Sequence, residues 1–157
     1  MKDLLDNEII DLRSILNLFD WGITDEVHLE IDSQQLDNFF PIDQATIVAV
    51  SIDDIEDLRR HVPTLSEFDM ADQSLITAAL RDEHAILTDD GELYMECLAL
   101  GIITMRLPQF CLSLAIKGMM DKTNVFQALC FWENVGRYSK KLIKKWKNEL
   151  NEIRGLK

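Results

Sequence analysis

Cysteine, glycine and proline are scarce in this chain: of 157 residues, 3 are cysteine, 6 glycine and 3 proline. Cys97, Cys111 and Cys130 form no close pair, and each lies in apolar, helix-like sequence. That pattern argues against a disulfide framework or a thiolate zinc site and suits buried free thiols in a reducing compartment. No Gly-rich loop precedes a helix in the phosphate-cradling pattern, so a nucleotide-binding α/β regulator lacks its glycines. His28, His61 and His84 stand far apart without metal-ligand spacing, and no serine or cysteine sits in the context of a nucleophile. No apolar run approaches the roughly 20 residues of a membrane span. The opening Met1-Lys2-Asp3-Leu4-Leu5-Asp6 lacks the apolar centre of a signal peptide. The expectation is a cytoplasmic protein without a membrane partner.

Positive charge is the other shortage. Lysine and arginine total 16 against 28 aspartates and glutamates, a formal net charge of −12. Such acidity disfavours strong nonspecific binding of duplex DNA, because much of the surface repels phosphate. The shortage is not uniform. Through Leu100 there are 24 acidic and 5 basic residues, a net of −19; from Gly101 onward there are 4 acidic and 11 basic, a net of +7. A solvated acidic body with a solubilising basic tail satisfies this split. So does an acidic region that gathers a divalent metal beside a basic flank that holds a polyanion.

What is present fits one α/β domain over residues 1–157, with 47% apolar residues available for a core. Periodicity predicts a helix from Ile9 to the breaker Trp21-Gly22. A second helix opens at Thr24 as N-cap, with Asp25 and Glu26 in its first turn, and carries Val27, Ile31 and Leu36 on one face up to Pro41. Ala45 to Ile52 is a continuous β-branched apolar run, predicted to be a strand covered on both faces in a parallel sheet. Asp53 to Arg60 reads as a short helix with acids first and arginines last; matching the helix dipole explains those charges without catalysis.

Beyond it, the sequence predicts a helix from Asp72, a strand at Ala85-Ile86-Leu87, a helix from Leu93 to the stop at Gly101, and a last strand at Ile102 to Met105. Helices follow over Leu107 to Ile116 and Val125 to Trp132. In the final helix, capped by Ser139, Leu142, Trp146, Leu150 and Ile153 make an apolar stripe, and Lys140, Lys141, Lys144, Lys145 and Lys147 occupy other faces. The expected layout is a short parallel sheet flanked by helices over 1–106, with a C-terminal helical part over 107–157.

The chemistry concentrates between Asp72 and Gly91, where one carboxylate opens a helix and others close the following strand. In an α/β unit the carboxyl ends of strands are where ligand sites collect, so Asp72 and Asp90 are placed to meet. Taken singly, Asp72 reads as a helix N-cap, Asp89-Asp90-Gly91 as an Asx-type turn, and Asp69 as a turn or cap residue. Together, Asp72-Gln73-Ser74-Leu75 and Thr88-Asp89-Asp90, continuing through Leu93 to Ala99-Leu100-Gly101-Ile102-Ile103, resemble the second half of a PIN-domain nuclease. Val27-His28-Leu29-Glu30 is similar to the hydrophobic-x-x-Glu of that family's preceding helix, and the resemblance runs over residues 9 to 145 in order and spacing.

The resemblance implies a PIN-like three-layer fold and cleavage of single-stranded or structured RNA, often by the toxin of a toxin–antitoxin pair with an antitoxin protein as partner. Homodimers are common among such proteins. It also implies Asp72 and Asp90 as metal ligands, Glu30 as a ligand or as the group that orients the attacking water, and Asp89 as an outer acid of the site. Clustered carboxylates raise one another's pKa unless a cation sits among them, and hard oxygen donors select Mg²⁺ or Mn²⁺. Such a metal polarises a phosphodiester and acidifies water.

The opening of the chain departs from the family, which begins with an apolar strand ending in an aspartate. Either Asp3-Leu4-Leu5 is that strand and Asp6 the first catalytic acid, or the strand is missing and the sheet has a gap that exposes strand edges to another chain. The second option leads to a different class of function: a catalytically degenerate PIN-like binding protein that acts through a protein or RNA partner, with its acidic loops as solvated turns.

Overall fold

In a computed structural model, residues 17–33 and 42–153 are described. The predicted helix from Ile9, the strand at Asp3-Leu4-Leu5 with Asp6, and the stretch of the Thr24 helix around Leu36 therefore lie largely outside the described residues. Those that are described fall into two compact units, one ending at Met105 and the other beginning at Arg106.

The first unit is mixed α/β. It runs β1 (Gly22–Thr24), α1 (Asp25–Ser33), a 3₁₀ turn (Ile42–Gln44), β2 (Thr46–Val48), α2 (Ile52–His61), a second 3₁₀ turn (Pro63–Glu67), α3 (Met70–Asp82), β3 (Ile86–Leu87), α4 (Gly91–Ala99) and β4 (Thr104–Met105). Among the described residues the strands pair as two separate parallel ladders, β1 with β2 and β3 with β4. The first ladder sets Ile23 opposite Ile47 and the second sets Ile86 opposite Thr104.

Parallel pairing of the 45–52 run agrees with expectation, but its length and burial do not. The strand is three residues long, and Ile47 keeps 43% of its surface exposed. It ends because its backbone groups turn to side chains: the Ala49 carbonyl accepts from Arg81 Nη1 at 3.2 Å, and Val50 N–H donates to Asp25 Oδ1 at 3.3 Å. Ser51 then caps α2, accepting from Asp54 N–H, while the Asp54 carboxylate accepts from Ser51 N–H. The predicted breaker at Gly22 is instead the first residue of β1. A Cβ there would stand 2.6 Å from the Thr46 carbonyl oxygen, so only glycine lets the two strands approach.

α3 is the central helix of this unit. It packs against α1, α2 and β1, and it buries Gln73, Ser74, Ile76, Thr77, Ala78 and Ala79. The core around it is built from Val50, Ile55, Leu65, Ile86, Leu93, Cys97 and Ile102. Gln73, a buried polar residue, is satisfied on both sides: Arg59 Nε donates to its Oε1 at 2.7 Å, and its Nε2 donates to the Phe68 carbonyl at 2.6 Å. The helix ends at Glu83 in the left-handed region, with φ of 57°.

The second unit is helical: α5 (Leu107–Ile116), α6 (Lys122–Asn134) and α7 (Lys140–Glu152), packed pairwise. Tyr138 stands edge-on to Trp132 and Trp146, with ring centroids 5.8 and 5.1 Å apart, respectively. Such edge contacts align ring edges with neighbouring π faces. Ser139 caps α7 through Leu142 N–H, as its position predicts. The buried stripe is Ile143, Trp146 and Leu150, rotated from the predicted one, with Leu142 only half-buried. No described helix is long and apolar enough to cross a membrane.

Candidate functional site

The first unit brings the N-terminal end of α3 towards α1 and the loop after β3. A short hydrogen bond fixes the first approach: Thr24 Oγ1 and Ser74 Oγ lie 2.5 Å apart, both buried and 50 residues apart in sequence. Ser74 Oγ donates to the Ala71 carbonyl at 2.7 Å, so Thr24 supplies the proton of the shared bond. Thr24 Oγ1 in turn accepts from Val27 N–H at 3.4 Å, capping α1. The same hydroxyl therefore starts the helix that carries Glu30 and ties it to the helix that carries Asp72. Neither Thr24 nor Ser74 stands out as a joining residue in the sequence, since the link is non-local.

Asp72 is not the N-cap of α3. Asp69 holds that place, and its Oδ1 accepts from Asp72 N–H at 2.9 Å. Asp72 is thereby the third helical residue, half-buried, with its carboxylate released from the capping role. Asp90 does cap a helix: its Oδ1 accepts from Glu92 N–H and Leu93 N–H, each at 2.8 Å, while its own N–H donates to Thr88 Oγ1 at 3.1 Å. The turn expected at Asp89-Asp90-Gly91 is thus a helix start, with Gly91 its first residue. Glu30 and Asp90 are exposed and Asp89 is half-buried.

The electrostatics join these acids. The Asp72 carboxyl is pushed up from 3.8 to about 6, first by burial and then by the negative charges of Asp69, Asp90 and Glu30. Among the described residues, no cation is among the groups that act on it. The Cys97 thiol is pushed up by burial and further by Asp72 and Glu96, against the opposing effect of a hydrogen bond with Thr104. Cys97 is fully buried in the core, which makes it a packing residue and not a reagent. Asp69, expected from the sequence only as a turn or cap residue, is a further member of this group. The Asp-x-x-Asp spacing at a helix start is its only sequence signal.

Three of the five expected acids, Glu30, Asp72 and Asp90, therefore share one electrostatic environment. Asp89 is not among the groups that raise Asp72, and Asp6 lies outside the described residues. Among the described residues, no group of three or more His, Cys, Asp or Glu side chains is arranged to hold a metal ion. The donor chemistry suits Mg²⁺ or Mn²⁺, being all carboxylate oxygen, while the described residues alone do not close a coordination shell. In comparisons with known proteins, no family model, curated protein or solved structure matches the chain.

Proposed function

We propose that this chain is a PIN-like nuclease that hydrolyses RNA phosphodiesters with Mg²⁺ or Mn²⁺, and that Glu30, Asp72 and Asp90 are the acids around its centre. The observation that supports the reading is the upward shift of Asp72, raised first by burial and then by three neighbouring carboxylates. An acid cluster of this kind costs folding stability, and a divalent cation relieves it. Asp72 and Asp90 would hold the ion, with Glu30 as a further ligand or as the acceptor that orients the attacking water. The bound ion would supply charge stabilisation at the phosphate and a lowered pKa for water.

The chain's own residues do the rest. Asp69 occupies the cap and leaves the Asp72 carboxylate available. The Thr24–Ser74 bond holds α1 against α3. Asp90 keeps one oxygen on the start of α4, so a ligand role falls to Oδ2. Asp89, half-buried and next to Asp90 in the chain, would serve as an outer acid.

A second reading, a non-catalytic PIN-like scaffold that binds a protein or RNA partner, draws on two specific observations. Among the described residues no three acids are arranged as ligands, and Asp90 has a complete structural role as a cap. Cleavage of a single-stranded RNA in Mn²⁺, by wild type and by Asp72→Asn/Asp90→Asn, separates the two. The nuclease reading expects cleavage by wild type that falls at least about 100-fold in the double variant. Equal rates, tracing to contamination, or none from either protein would leave the scaffold reading standing.

A further inference from the structure

Helix α7 carries its charges in the reverse of the order that α2 follows. α2 opens on Asp53 and Asp54 and closes on Arg59, Arg60 and His61, complementing the helix dipole. α7 has no acid in its first turn and no base in its last. Lys140, Lys141, Lys144 and Lys145 fall within its opening six positions, and Glu149 and Glu152 within its closing four. Lys140 with Lys144, and Lys141 with Lys145, are like charges at a spacing of four, which repel on a helix surface. Of these four, only Lys145 has an acidic partner among the described residues, Glu149 at 3.7 Å. Lys140, Lys141 and Lys144 form no ion pair with a described residue. Helix stability therefore does not account for the arrangement.

The four lysines also share one side. At about 100° per residue they span an arc of about 140°, on the opposite side from the buried Ile143, Trp146 and Leu150, and all four are exposed. The only other residues on that arc are Asn148, Asn151 and Glu152, so it contains no apolar side chain. A protein interface needs an apolar centre to bury. A phosphate backbone needs only cations in a row, and the positive end of the helix dipole adds to them.

We propose that the lysine face of α7 is a docking surface for the sugar–phosphate backbone of RNA. The choice of RNA among nucleic acids rests on the nuclease reading above; the affinity for a phosphate chain rests on α7 alone. The net charge of +7 from Gly101 onward keeps this region attractive to a polyanion although the whole chain is acidic. Four phosphate contacts on a single strand give log K a slope of about −3 against log salt.

The test is fluorescence anisotropy of a labelled single-stranded RNA, in EDTA so that nothing is cut, over a range of KCl concentrations. Wild type is compared with K140Q/K141Q/K144Q/K145Q. The expected result is binding by wild type with a slope near −3, and a variant about 100-fold weaker at low salt with a slope near zero. Glutamine is a good helix former and the positions are exposed, so the variant is expected to melt no lower than wild type; a circular-dichroism melt checks this. Absence of RNA binding by wild type overturns the proposal, and so does equal affinity and slope in the two proteins. Tighter binding of polyglutamate or of anionic vesicles than of RNA also overturns it. Intact binding with no cleavage in Mn²⁺ would defeat the nuclease reading alone.

Discussion

Asp72 is the residue whose chemistry is most sharply defined. In the folded chain its carboxyl stays protonated up to about pH 6, whereas in the unfolded chain it ionises around 3.8. Between those values the native state binds more protons, so the contribution of Asp72 to stability falls as pH rises through this window. Asp72→Asn is accordingly expected to raise the Tm at pH 7.5 without metal and to leave it unchanged near pH 3.5, as read by thermal melts across pH. A lowered Tm at pH 7.5 would contradict the shift. Asp69→Asn keeps a competent cap and removes a neighbouring charge, so it is expected to bring the Asp72 pKa down, which carboxyl-carbon NMR titration reads directly. Asp69→Ala loses the cap as well and is expected to cost about 1 kcal/mol, measured by urea denaturation.

At the scale of elements, the link between α1 and α3 carries the site. Thr24→Val or Ser74→Ala each breaks a buried hydroxyl pair and is expected to cost about 1–2 kcal/mol. A double-mutant cycle should return a coupling of at least about 0.5 kcal/mol; additive effects would mean that the bond does not hold the helices together. Glu83 ends α3 in left-handed conformation, a strain that glycine removes, so Glu83→Gly is expected to stabilise by about 0.5–1 kcal/mol. Local signals made the helices legible in advance: Ser139 as a cap, Gly101 as a stop, and the acid-to-base order of α2 all follow from groups a few residues apart. What escaped was non-local. The 45–52 run reads as a long buried strand, yet Asp25 and Arg81 take its backbone groups after Val48. The cap of α3 moved from Asp72 to Asp69 because two aspartates compete for one helix start. The strand at Gly22 was hidden because glycine signals a breaker until a partner backbone comes close enough to require it.

Across the whole chain, the acids gather before Leu100 and the bases after it. A body this acidic repels itself. Screening alone predicts a modest rise of Tm in KCl; a specific cation site predicts a larger rise at far lower concentrations of Mn²⁺. The two effects separate because only the second depends on Asp72 and Asp90. The candidate site was partly legible in this composition and in the spacing of Asp72 and Asp90. Glu30 was legible only through the resemblance of Val27-His28-Leu29-Glu30 to a family pattern, since the contact that ties its helix to that of Asp72 spans 50 residues.

The most direct measurement is a calorimetric titration of Mn²⁺ into the folded wild type and into Asp72→Asn/Asp90→Asn, the latter retaining a capping side chain at position 90. Wild type is expected to bind saturably, and more tightly as pH rises through about 6 because the ion competes with the proton on Asp72. The double variant is expected to show no saturable binding. No heat of binding from folded wild type, or equal binding by both proteins, would contradict a metal centre built on these acids.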